Sequence, residues 1–275
     1  MKNILLPFEY AETIPHLIDC AVSLAKVYKS SISGVAIHQR IDSFIAQEGS
    51  IIFDTVHHDE SISEVIKYKE KFESHMEGLV LKDKALSSLN YQWLSEELQS
   101  QKYLGDLSRV YNVVIISRPY QELQSASLSS IQTILFDGGR PVMLIPMNKQ
   151  VEIGNEVLIS WNCTTESSRA VFAALPILKK ANNVTILTVE KAITDGPSGE
   201  EVSKLLLSHG IESKAVSLEG DEKKAGEIIL EYSKSINADL IVKGAYTQSR
   251  LREIIFGGVT RHLMLHSDLP IYLVN

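Results

Sequence analysis

The residues best suited to chemistry in this chain lie in one stretch, GAYTQSRLREIIFGGVT, from Gly244 to Thr260. Gly244 closes an apolar run. A polar loop with Thr247, Ser249, Arg250 and Arg252 follows, then Gly257-Gly258, and Val259-Thr260 lead into RHLMLH, which has the pattern of a helix start. Backbone N–H groups at a helix N-terminus attract anions, and glycine lets backbone approach a phosphate closely. Ser249, Arg250 and Thr260 add side-chain donors. The segment therefore has the make-up of a phosphate cradle. The competing account is a plain strand-to-helix connection whose glycines serve tight turns. Neither GxxxxGK[ST] nor GxGxxG is present to decide between them.

Other reactive residues point less clearly. Trp161 and Asn162 end the apolar run NEVLISWN. The indole could stack on a base or pack against helices. Cys163 follows them, but no neighbouring base is evident to lower its pKa. His262 and His266 share a helix face without a third ligand in the nearby sequence, so metal is not expected there. His57-His58, beside Asp54, Asp59 and Glu60, reads as a polar loop rather than a metal site. No general base or magnesium-ligand set stands out, so binding is favoured over catalysis, with a weak ATPase as the alternative.

These residues need elements to hold them. The chain has 275 residues, enough for two domains, and 44% of them are apolar, enough for two cores. The net charge of −7 argues against nucleic acid or an acidic membrane as a partner. Two unpaired cysteines and no long apolar run predict a cytoplasmic protein without a membrane span. KNILLPF, SISGVAIH, NVVIISRP and RPVMLIP read as strands in the first half. NEVLISWN, NNVTILTVE (ending near Val189), IESKAVSL, ADLIVKGA and LPIYLVN read as strands in the second. Helical patterns alternate with them, including one over 61–80, one near 95–104 and one bent at Pro176. Strand, helix, strand without hairpins predicts parallel sheets. The two halves repeat this order, with boundaries at 1–148 and 151–275.

With the loop and the repeat in hand, the chain resembles tandem universal stress proteins. The resemblance implies two tandem five-stranded parallel α/β sandwiches of Rossmann-like type, strand order 3-2-1-4-5. It also implies a Gly-x2-Gly-x9-Gly-Ser/Thr loop for the phosphates and ribose of ATP, with an Asp at the end of the first strand. Here Gly244 and Gly257 fit, Thr247 and Gly258 depart, and Asn162 stands at the Asp position, with Val189 ending the second strand. In the first half Phe8 or Glu9 takes the first-strand position, and SRPYQELQSASLSS replaces the loop. The resemblance thus implies one adenine-nucleotide site per chain, in residues 151–275. It would be formed by Trp161, Asn162, Val189, Gly244, Thr247, Ser249, Arg250, Gly257, Gly258, Val259 and Thr260. It further implies an internal pseudo-dimer of the halves and a homodimer. Whether Thr247 blocks or binds a phosphate stays open.

Overall fold

The computed structural model describes residues 1–38, 58–119, 128–147, 153–221, 223–245 and 258–275. They form two compact units, Met1–Gly138 and Gly139–Asn275.

In the first unit β1 (Asn3–Phe8) leads through a short 3-10 turn to α1 (Ile14–Tyr28) and then β2 (Ser31–Ala36). The helix α2 (His58–Lys82) precedes a three-residue strand β3 (Tyr91–Trp93). Then come α3 (Gln101–Ser108), β4 (Val113–Ser117) and α4 (Leu128–Gln132), which widens into a π turn over Thr133–Asp137. The strands lie in the order β3-β2-β1-β4, all parallel. The sequence pattern missed β3 and placed a helix near 95–104. The helix begins later, at Gln101, where the Ser100 hydroxyl accepts the N–H of Tyr103. Three residues give too few alternations to show a strand period.

The second unit opens with β5 (Val142–Ile145), then β6 (Glu156–Trp161), α5 (Thr165–Leu178), β7 (Asn183–Lys191) and α6 (Gly199–Ser208). It continues through β8 (Lys214–Asp221), α7 (Ala225–Ser235), β9 (Leu240–Gly244), α8 (Gly258–His266) and β10 (Ile271–Val274). Its parallel order is β8-β7-β6-β9-β10, the expected 3-2-1-4-5 arrangement. One detail differs. The strand RPVMLIP, read as the last of the first half, is β5, and it runs antiparallel along β10, with Ile271 opposite Leu144. Val142, Met143, Leu144 and Ile145 are all fully buried, so pairing there shields an apolar strand as well as satisfying its backbone.

Helix ends follow from local chemistry. α5 starts where the Thr164 hydroxyl accepts the N–H of Ser167. It continues through Pro176 and ends two residues later, so the missing proline N–H costs the helix a bond only in its last turn. α6 has a reciprocal cap: the Ser198 hydroxyl accepts the Glu201 N–H at 3.3 Å, and the Glu201 carboxylate accepts the Ser198 N–H at 2.8 Å. Ser198→Ala should lower the stability of this unit by about 1 kcal/mol, read as a drop in the urea unfolding midpoint. An unchanged midpoint would show that α6 is held by its apolar face alone.

The entry to β6 is pinned from a distance. The Asp239 carboxylate accepts the N–H groups of Gly154, Asn155 and Glu156 at 2.9–3.1 Å, tying the start of β6 to the residue before β9. This fixes the register between the two strands whose far ends carry the candidate site.

Candidate functional site

In an open parallel sheet the crevice for ligands lies at the carboxyl ends of the strands, where the strand order reverses. In the second unit that point falls between β6 and β9, where Ser160 pairs with Lys243. A small pocket opens there, between the ends of β6, β7 and β9 and the helices α7 and α8. Leu187, Val189, Ala225, Ile229 and Val259 supply apolar walls, while Ser160, Asn162 and Lys243 supply polar groups. The cavity measures about 30 Å³, room for about one water molecule.

Of the residues expected from sequence, Trp161, Asn162, Val189 and Val259 come together in this pocket. Trp161 is buried, and its Nε1 donates to the Pro197 carbonyl at 2.8 Å, which fixes the indole plane. The Asn162 Oδ1 accepts the Thr164 hydroxyl at 2.9 Å, so its amide NH₂ remains as the donor end. Gly258 is the exposed first residue of α8, and Thr260, two residues further on, is buried. Thr247, Ser249, Arg250 and Gly257 lie outside the described residues.

Gly244 is placed by packing. It ends β9 against the start of α5, where a Cβ would strike the backbone nitrogen of Ser167 and come within 2.5 Å of the Glu166 carbonyl carbon. Gly258 is the opposite case, with nothing among the described residues within 4 Å of a Cβ built there. Packing among the described residues thus requires glycine at 244 but not at 258.

The other reactive residues have structural surroundings. Cys163 sits in a left-handed turn at φ 65°, and burial pushes its thiol pKa up, which disfavours the nucleophilic thiolate. The rings of His262 and His266 lie 4.6 Å apart, and burial holds the His262 pKa below its usual value. Among the described residues no group of three or more His, Cys, Asp or Glu gathers in a way that could hold a metal ion. The side chains of the His57-His58 cluster lie outside the described residues.

Lys243 is the functional candidate that the sequence patterns passed over. It is 5% exposed, within a strand that is buried from end to end. Among the described residues its ammonium has neither a hydrogen-bond partner nor an ion-pair partner. Burial alone pulls its pKa down to about 8. The signal was a single basic residue inside the apolar run ADLIVKGA. Such a residue breaks no strand pattern on its own, so periodicity does not reveal it.

The first unit handles the same positions differently. β1 and β6 have six residues each with the same burial pattern, and β4 and β9 have five each, so the strands align end to end. Phe8 then stands at the place of Trp161, Glu9 at that of Asn162, and Ile116 at that of Lys243. Phe8 stacks on Trp93 with ring centres 6.1 Å apart and packs on Phe72. Glu9 is buried and bonded. Where the second unit has a buried cation, the first has an isoleucine. A larger cleft of about 550 Å³ in the first unit lies at the amino ends of its strands, lined by Lys2, Lys26 and Lys29. These lysines are exposed, and Lys26 is already paired with Asp83 at 2.7 Å.

Residues 189–275 match the model of the universal stress protein family. The chain carries a universal stress protein domain. That stretch includes the second-strand end, β9, α8 and β10, so the domain supplies most of the pocket's walls. Over 58 residues the chain is 44% identical to the stress response protein NhaX of Bacillus subtilis (strain 168), a match that covers 21% of this chain and 33% of that relative. It therefore spans about a third of the relative's length. The whole chain shares its fold with a universal stress protein from Archaeoglobus fulgidus DSM 4304, at TM-score 0.69 and 18% identity, covering 99% of this chain and 98% of that one. A structure from Pseudomonas aeruginosa UCBPP-PA14 superposes at TM-score 0.58 and 11% identity, covering 100% of this chain and 93% of that one. No helix among the described residues of this protein is long and apolar enough to cross a membrane.

Proposed function

We propose that the protein is a cytoplasmic, universal-stress-type regulator whose second unit binds ATP or a related adenine nucleotide, one per chain. The observation that supports this reading is the convergence of Trp161, Asn162, Val189 and Val259, from three separate stretches of sequence, on one pocket at the switch point of the sheet. The first unit, with aromatic packing at the matching strand end, acts as a partner domain. The role is one of binding rather than catalysis.

The pocket must widen to work this way. Small-molecule sites measure roughly 300–1,000 Å³, against about 30 Å³ here. Calorimetry with ATP is the test. Micromolar binding at one site per chain is expected, with at least a tenfold loss in Gly258→Asp, which sets a negative charge at the N-terminus of α8. Among the described residues nothing lies within 4 Å of a Cβ built at Gly258, so this variant leaves their packing undisturbed. No heat up to millimolar ATP would overturn the reading.

The small volume also favours a second reading: a homodimeric interaction protein that has given up nucleotide. It predicts a stable oligomer by light scattering that ATP does not alter. A monomer mass would count against it.

A further inference from the structure

The charges lining the pocket are unusual. At the strand end where the resemblance implies an acid stands Asn162, which is neutral. One strand over stands Lys243, 95% shielded from solvent, inside the same pocket and without a partner among the described residues. Ser160, its partner in the strand register, adds a hydroxyl, and Asn162 adds an amide. No carboxylate, histidine or second cation lines the pocket among the described residues. The lining thus combines one formal positive charge with neutral polar groups inside apolar walls.

A lysine buried with no counter-charge among the described residues is costly, and it is retained against the alternative seen at the matching position of the first unit, Ile116. Packing does not explain it, because an apolar side chain would fill the strand position equally well. A ligand charge does. We propose that the ligand of the second unit carries an oxyanion, and that Lys243 is its counter-charge within the pocket. This rests on reading the pocket as the ligand site. It moves the site's electrostatic demand from a carboxylate that would accept from ribose hydroxyls to a cation that takes a phosphate. The phosphate of a nucleotide and free inorganic phosphate share that chemistry.

The test is calorimetry of the full chain and of Lys243→Met with three probes: ATP, adenosine and inorganic phosphate. Methionine is unbranched and matches the lysine side chain out to Cε while removing the charged ammonium, so the fold is not at risk. ATP should bind the parent protein at least tenfold more tightly than adenosine. In Lys243→Met the ATP affinity should fall to the adenosine level while adenosine binds as before. If Lys243→Met keeps the full preference for ATP, the assignment is overturned. If adenosine binds and ATP binds no more tightly, the nucleotide reading survives and the assignment of Lys243 fails. If neither nucleoside nor nucleotide binds but phosphate does, and only when Lys243 is present, the nucleotide reading fails and the oxyanion site stands. If no probe binds, both fall.

Discussion

Lys243→Met should make the ligand-free protein more stable by about 3 kcal/mol at pH 7, an effect opposite in sign to most core substitutions. The folded-state pKa lies near 8 because burial disfavours the charged form. In the unfolded chain a lysine titrates near 10.4. Below pH 8 both states carry the proton, and the folded state bears the whole cost of a buried charge. Between about pH 8 and 10.4 the folded protein sheds that proton while the unfolded chain keeps it. The unfolded state then binds more protons, and the stability of the parent rises with pH relative to the variant. The gap between parent and Lys243→Met should therefore be widest at and below neutrality and close by about pH 10.5. Urea unfolding of both proteins at pH 7, 9 and 10.5 measures it. A variant that is less stable than the parent at pH 7, or a gap that does not change with pH, would show that Lys243 is already compensated in the ligand-free fold. An anionic ligand that pairs with Lys243 should shrink the gap further, since it stabilises the parent more than the variant.

Gly244→Ala should have the opposite effect, a loss of about 3 kcal/mol. The added methyl would meet backbone, the Glu166–Ser167 peptide at the start of α5, which cannot swing aside as a side chain can. Relief requires α5 to shift away from β9, loosening the packing that Ala170, Ala174 and Ile177 make in the core. Gly258→Ala is the matched control, because its new methyl meets none of the described residues within 4 Å, and it should change stability by well under 1 kcal/mol. Unfolding curves for the two variants side by side separate the roles of the glycines. An equal, small effect for both would mean that Gly244 is free to serve a ligand alone. A large effect at Gly244 only would mean that close helix–strand approach demands glycine there whether or not a phosphate binds nearby.

The sequence showed much of the fold because most strands are continuous apolar runs. Val113–Ser117 and Leu240–Gly244 are buried at every position, as a central parallel strand must be. The repeat of strand and helix order carried the topology of the second unit. Tyr91–Trp93 stayed hidden because three residues, none fully buried, leave no period to read. The placement of Val142–Ile145 stayed hidden for another reason: its pairing with Ile271–Val274 depends on which far-off edge is open, and that information is not local. Trp161, Asn162, Val189 and Val259, which the resemblance implied from their places at strand ends and at a helix start, line the candidate pocket together. Lys243 was not expected there, since one charge within an apolar run reads as noise until its surroundings are known. Gly244 was read either as a glycine of the phosphate cradle or as a turn glycine, and neither reading included the clearance from α5 that its neighbours require.

The antiparallel pairing of β5 with β10 also bears on synthesis. On the ribosome, Leu144 emerges about 127 residues before Ile271, its partner in the register. For that interval Val142–Ile145 has no β10 to lie against, although all four residues end fully buried. The last-made strand of the domain is thus also the one that seals the edge of a much earlier one. A nascent chain paused before residue 271 would display this apolar segment to chaperones and to its neighbours on the same polysome.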